Sequence, residues 1–405
     1  MKIIDPIAIP ESAYEWNVSW LVNNSERGFV PELAPAAWDA ATLYSALVYP
    51  AYGYTWRPDR VSVAAGYGLL WVYESTQANN IGNIPGASSA WHYVGPTYQE
   101  YDATAVYALG ERAQDSTTHK AYESLVEGQT GTTTTSPPVW GGGGSSTVPT
   151  APTAPPVVTV TNSTLLDPTK WLPIGTTNRY AMFDLDNTTK TYSNNEIFVM
   201  FRNYGASAVA LYGLNGTGLK VDVYDDISFI SANIAWTSGD ISLETSAVTD
   251  VDEWLTVPPQ WVDKHAIVSI PPVFGWISIR ITGAGTVSCG SVVIGDPVDV
   301  GGTQYGPALS LIDYGKKEID QWGNYTYIPG TYSARLRVST FFDNVDLDAV
   351  TAAMINFRGK PCAYLATDLT AYRALNVLGV YKDFSIDVRY VNNSLTSLEI
   401  EGLST

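Results

Sequence analysis

Residues 128–156 read GQTGTTTTSPPVWGGGGSSTVPTAPTAPP, and this tract limits how the whole chain can be organised. Its threonine, glycine and Pro-Thr-Ala runs offer almost nothing to bury apart from Val139-Trp140. Gly-rich chain is flexible and Pro-rich chain is extended, so packed cores have to form on either side of it. The tract is therefore either a hinge between two ends or a long loop inside one folded unit.

The 405 residues allow two to four domains. Only 15% are charged, against about 25% in an ordinary soluble protein. Ser, Thr, Asn, Gly and Tyr must therefore keep the surface polar, as they often do in extracellular, viral and carbohydrate-facing proteins. Net charge is −18 with no basic cluster, which argues against nucleic-acid binding, because neutralising phosphates requires clustered Lys and Arg. The acidic surface also disfavours adsorption to an anionic membrane. No stretch approaches the roughly 18 apolar residues of a spanning helix, so no membrane insertion is expected. Asp5 and two prolines interrupt the apolar run of MKIIDPIAIPES, which therefore lacks a signal-peptide core. Cys289 and Cys362 are too few for a disulfide framework. Buried free thiols fit assembly in a reducing cytoplasm.

Residues 37–140 hold an internal repeat. One copy opens on Trp38-Asp39-Ala40 and reaches Tyr44; the other opens on Tyr101-Asp102-Ala103 and reaches Tyr107. Each carries a Tyr-Glu-Ser triplet, Tyr73-Glu74-Ser75 and Tyr122-Glu123-Ser124. Each meets a tryptophan 18 positions after that tyrosine, Trp91 and Trp140. Between opening and triplet the first copy is 14 residues longer, around YPAYGYTWRPDRVS. Runs such as Leu69–Tyr73, set between Gly, Asn and Pro clusters, predict short strands and turns. Past the tract, however, Trp171-Leu172-Pro173-Ile174-Gly175 echoes Trp91-His92-Tyr93-Val94-Gly95 better than the residues after Trp140 do. If Trp171 closes the second copy, residues 141–156 form a loop within it.

The aromatic-Asp opening, the Trp-Val-Tyr-Glu-Ser or Lys-Ala-Tyr-Glu-Ser strand, the Asn/Gly/Pro loop and the closing Trp resemble small chitin-binding-type carbohydrate modules. That resemblance implies three-stranded units of the kind found on polysaccharidases and bacteriophage tail proteins. The blocks DYGKKEIDQWGN, FRGKPCAYLATD, VLGVYKDFSID and SLEIEGL, with NRYAMFD upstream, resemble a group of tailed-phage virion proteins. Those pair a tail-facing C-terminal domain with a sandwich and carbohydrate-binding repeats, and the resemblance implies assembly into a tail tip or related appendage. It supplies no catalytic residues.

Between these ends, Ile197–Phe201, Ala208–Tyr212, Leu219–Tyr224, His265–Ile270 and Trp276–Ile281 read as strands joined by Gly, Asn and Pro turns, which predicts a β-sandwich. Further on, Leu347, Val350, Met354 and Phe357 recur at helical spacing, with Asp343 and Asn344 as caps and Gly359 and Pro361 as a stop. A strand Cys362–Leu365 and a hairpin of Phe384–Tyr390 with Leu398 and Ile400 follow. The expected architecture is mainly β and multidomain. It comprises an arm (1–36), two three-stranded modules (37–98 and 99–175), a β-sandwich (176–300) and a small C-terminal α+β assembly domain (301–405).

Phe183-Asp184-Leu185-Asp186-Asn187 resembles the nucleophile motif of haloacid-dehalogenase-type phosphatases. That chemistry needs Mg²⁺, a balancing Lys and a parallel sheet with alternating helices, which this region does not offer. A turn with local Asp hydrogen bonds is the expected state. Asp184, Asp186, Asp225 and Asp226 are also oxygen ligands of the type Ca²⁺ takes, though their spacing carries little weight. His92, His119 and His265 are scattered, and no nucleophile elbow, zinc-protease, phosphate-loop or Cys-x-x-Cys motif occurs. No enzyme activity, cofactor or metal is expected.

Sugar rings stack their apolar faces on Trp and Tyr. The candidate carbohydrate-binding residues are Trp71, Trp91, Trp140, Tyr52, Tyr54 and Trp56, while the tyrosines of the two triplets are expected in the module cores. The expected protein is a virion tail component, made in the host cytoplasm. Its partners would be other tail proteins, symmetric copies of itself and a host cell-surface glycan. Two alternatives are a purely structural adaptor and a polysaccharide-active hydrolase.

Overall fold

The computed structural model describes residues 1–7, 14–15, 34–44, 59–127, 129–130, 167–186, 188–225, 234–243, 264–272, 274–319, 322, 325–328, 330–367, 370–388 and 390–403. It is a multidomain, mainly β protein, as its alternating runs and turn residues predict.

The spine is a stack of four layers. In the outer sheet, Trp276–Cys289 pairs with both Gly218–Tyr224 and Thr191–Arg202. Facing it is a three-stranded sheet in which Ala208–Leu214 lies between Lys264–Ser269 and Ser291–Gly295. Side chains alternate across a strand, so the middle sheet uses both faces. Val209, Leu211, Val292 and Ile294 join Ile197, Phe201, Val221 and Ile279 in the sandwich core. Ala208, Ala210, Tyr212 and Val293 turn the other way and pack on Ala363, Leu365 and Leu378 of the C-terminal domain.

That domain is an eight-stranded sheet. Its path runs Pro297–Asp299, Lys2–Ile4, Cys362–Leu365, Asn376–Asp387, Asn393–Gly402, Tyr332–Asp343 and Gly302–Thr303, with Ala308–Asp313 also on Tyr332–Asp343. Its far face carries the helix Leu347–Asn356, whose Val350 and Met354 pack with Cys362, Tyr364 and Val377. The helix lies where its apolar spacing places it, and Gly359 (φ +72°) follows its end. Its expected caps do other work. The N-cap residue is Asp346, with no side-chain cap bond. The Asn344 amide instead donates to the carbonyls of Tyr390 and Val391 at 3.2 and 2.9 Å, fastening the turn after Asn376–Asp387. Val388 and Tyr390, expected to continue that strand, are exposed beyond its end.

Residues 1–7 are not a loose arm. Lys2–Ile4 runs antiparallel between Pro297–Asp299 and Cys362–Leu365. Ile3 faces the helix side of the sheet and Ile4 the sandwich side, both fully buried. Cys289 and Cys362 are free and sit in different cores. Burial pushes each thiol up to about 12.

The two modules share a hydrogen-bonded skeleton. In each, the middle strand (Leu69–Ser75 or Lys120–Ser124) lies between Arg60–Gly66 and Trp91–Tyr98, or between Arg112–Asp115 and Trp171–Thr176. The opening Asp N–H donates to the tyrosine hydroxyl five residues on, Asp39 to Tyr44 at 2.8 Å and Asp102 to Tyr107 at 2.7 Å. Arg60 pairs with Glu74 and Arg112 with Glu123, each at 3.0 Å. Ser75 Oγ donates to the Gln77 carbonyl and Ser124 Oγ to that of Val126. Even the bulge recurs: register slips at Val94 in one last strand and at Ile174 in the other.

Trp171 closes the second module. It pairs with Ser124 as Trp91 pairs with Ser75. Its ring meets Tyr107 edge-on at 5.1 Å, as Trp91 meets Tyr44 at 5.1 Å. The strand that completes the second module's sheet thus comes after residues 141–156, which lie outside the described residues.

The modules interlock through the turn Gly66-Tyr67-Gly68. Arg112 N–H donates to the Tyr67 carbonyl and Gln99 N–H to that of Gly68. Gly68 has φ +75°, and a Cβ there would lie 1.8 Å from the Arg112 carbonyl oxygen. Gly68→Ala is expected to cost about 2–4 kcal/mol from backbone strain and overpacking together. Thermal melting with limited proteolysis between the modules would measure that loss.

Candidate functional site

The last strand of the first module docks on the sandwich. Ser193 Oγ donates to the carbonyl of the bulge residue Val94 at 3.5 Å. Asn178 anchors the same junction: its amide nitrogen donates to Tyr192 O at 2.9 Å and Pro96 O at 3.3 Å, and its oxygen accepts from Tyr192 N–H at 2.8 Å. Below it the second module is held by Thr177 N–H on the His119 carbonyl and by Tyr180 stacked on His119 at 3.9 Å.

These three contacts enclose a cleft of about 350 Å³ between module one, module two and the sandwich. That volume is at the lower end of the roughly 300–1,000 Å³ usual for ligand clefts. Its walls include Tyr98, Pro96 and Leu69 from the first module, Arg112 from the second, and Tyr192 and Lys190 from the sandwich edge. Tyr192 is 39% exposed. The Arg112 guanidinium carbon lies 6.0 Å from the centre of the Tyr98 ring, and Nη1 donates to Tyr98 Oη at 3.5 Å. Nε is held by Glu123. Two aromatic rings, a fixed guanidinium and an ammonium thus converge on one concave surface, the makings of a saccharide site.

The expected residues divide sharply around this cleft. Trp71 is 43% exposed. It pairs with Pro96, and its neighbour Leu69 pairs with Tyr98. Directly paired residues and every second residue share a face, so Trp71 lies on the same sheet face as the cleft wall. Trp91 is only 7% exposed, packed on Tyr44 and Tyr73, with its indole N–H donating to the Asn83 carbonyl at 2.8 Å. With its polar edge occupied and so little of it exposed, it has no ring face free to stack a sugar: it is a core residue. Tyr73 and Tyr122 lie in the two module cores. Tyr52, Tyr54, Trp56 and Trp140 lie outside the described residues. The position equivalent to Trp71 in the second module is Lys120, paired with Thr176, so the two modules present different surfaces.

The Phe183–Asp186 segment follows a 3₁₀ turn, Ala181–Phe183. Asp184 accepts from Asp186 N–H and from the hydroxyls of Thr176 and Thr189, and Asp186 accepts from Thr188 N–H and hydroxyl. Burial, partly countered by these donors, raises the Asp184 carboxyl above its usual range. Asp184 thus ties the cleft-lining Thr189 to Thr176 of the second module's last strand, while Asp186 closes a local turn. Among the described residues no group of three His, Cys, Asp or Glu side chains is placed to hold a metal ion, and no helix is long and apolar enough to cross a membrane.

Sequence reasoning missed Tyr98, Arg112, Asn178, Lys190 and Tyr192. They come from three units, and none belongs to a spaced motif. Asn178 alone stood in a noticed block, NRYAMFD. No family model matches the chain, and neither a curated protein nor a solved structure shows significant similarity to it.

Proposed function

We propose that this chain is a non-enzymatic glycan-binding component of a tailed-phage virion, with the module pair facing the host surface and the C-terminal domain seated in the tail. The observation that carries the glycan-binding half is the aromatic-walled cleft, formed where two copies of one hydrogen-bonded module lock onto each other and onto the sandwich. Rigid docking favours such a site, because little ordering cost remains when a ligand enters.

The virion half rests on the resemblance of the C-terminal blocks. One of them, DYGKKEIDQWGN, lies in a projecting segment. There Ala308–Asp313 runs along Tyr332–Asp343, and Lys316–Ile319 pairs only with Tyr325–Ile328 among the described residues. Leu309, Leu311, Tyr314, Trp322, Tyr327 and Ile328 are all exposed on it. Apolar side chains gathered on one projection mark a surface that is covered in an assembly, and symmetric copies beside tail neighbours would cover it. Repeated cleft sites in such an assembly would gain avidity by effective concentration.

Retention of the intact chain on immobilised host cell-wall or lipopolysaccharide glycan tests the reading. Tyr98→Ala and Trp71→Ala are expected to weaken binding about tenfold each, the effect of losing one stacking ring of about 1–1.5 kcal/mol. Trp71→Ala should leave the melting temperature within about 2 °C, because the ring is outside the core. Equal retention of wild type and both variants would sink the cleft as the glycan site. Absence of the chain from assembled particles, tested with antibody against it, would sink the virion role.

A further inference from the structure

Resting on the glycan reading, we infer that the cleft selects an anionic sugar, one whose ring bears a carboxylate. The chain carries 40 acidic against 22 basic residues, yet the cleft wall reverses that balance. Arg112 and Lys190 line it, and among the described residues no Asp or Glu does. Two neighbouring carboxylates are already held: Glu123 pairs with Arg112 Nε, and Asp184 accepts from the hydroxyls of Thr176 and Thr189.

The two cations are available to different degrees. Arg112 uses Nε on Glu123 and Nη1 on Tyr98, which leaves Nη2 without a partner among the described residues. Lys190 is half-buried and has no carboxylate partner among the described residues. A ligand carboxylate would give that half-buried ammonium a charge-assisted hydrogen-bond partner. Tyr98 and Tyr192 would take the apolar ring face while Lys190 and Arg112 Nη2 take the charged substituent. A neutral sugar would fill the same space and leave Lys190 and Arg112 Nη2 without an acceptor. Selectivity would then come from the groups left unpaired with the wrong ligand, the stronger kind of discrimination.

The experiment is titration calorimetry of the intact chain with a panel of uronic-acid oligosaccharides and their carboxyl-reduced, neutral counterparts. At least one acidic oligosaccharide is expected to bind ten-fold or more tighter than its reduced form, and to weaken as sodium chloride rises from about 50 to 500 mM. Lys190→Met should cut that preference at least five-fold, and Lys190→Arg should restore most of it. Equal affinity for an acidic oligosaccharide and its reduced form overturns the inference and leaves the glycan site standing. Binding of neutral sugars alone does the same. Binding of no saccharide in the panel overturns this inference, and retention on host glycan then decides the broader reading separately.

Discussion

Deletion of residues 1–7 is expected to unfold the C-terminal domain and to loosen the sandwich behind it. Lys2–Ile4 fills the slot between Pro297–Asp299 and Cys362–Leu365, so its removal leaves backbone donors and acceptors unpaired on both neighbours. Unpaired buried backbone groups each cost about 1–3 kcal/mol. Ile3 is lost from the core beneath the helix and Ile4 from the layer against the sandwich. Two buried isoleucines contribute about 1.5–3 kcal/mol each before cavity costs. Outside the strand, Ile7 N–H donates to the Ile294 carbonyl and Asp5 pairs with Lys360 at 3.6 Å. The sum approaches the whole stability of a domain, about 5–15 kcal/mol. Denaturant unfolding followed by near-ultraviolet circular dichroism measures it. An unchanged midpoint in the truncated chain would contradict the interleaved arrangement. Ile3→Ala provides a milder check, with a loss of about 2–5 kcal/mol.

Trp171→Ala should cost about 3–5 kcal/mol, as large an effect as Trp91→Ala. Trp171 is 3% exposed and is gripped edge-on by Tyr101 at 5.7 Å and by Tyr107 at 5.1 Å. Tyr107 is itself fixed, with its hydroxyl accepting from Asp102 N–H and burial pushing its phenol up to about 12. A small module has too little core to absorb the loss of its largest ring. Loss of the second module's cooperative melting is the expected reading. If Trp171→Ala melts like the parent chain, Trp171 does not close that module and the tract reverts to a hinge.

Local pattern carried most of the fold. The strands at Ile197, Ala208, Leu219 and Trp276 announce themselves by β-branched and aromatic residues between turn residues, and the helix at Leu347 by its spacing. Lys2–Ile4 was not legible, because three residues buried on both faces have no alternation to read. Its partners also lie some 300 and 360 positions away. Trp91 was misplaced for a different reason: spacing shows that a tryptophan recurs but not which way it faces. Its direct pairing with Ser75 and the Asn83 carbonyl settle that only in three dimensions. Conversely, the echo of the Trp91–Gly95 ending in Trp171–Gly175 did locate the end of the second module, down to the shared bulge. The cleft was invisible because the docking of three units creates it, through single groups such as Asn178 and the Val94 carbonyl.

The most direct test of the cleft as a saccharide site is a crystal structure of the chain with the tightest-binding acidic oligosaccharide. The predicted result is a sugar ring against Tyr98 and Tyr192 with its carboxylate within hydrogen-bonding reach of Lys190 Nζ. A saccharide seated elsewhere on the chain, with the cleft empty, would contradict it.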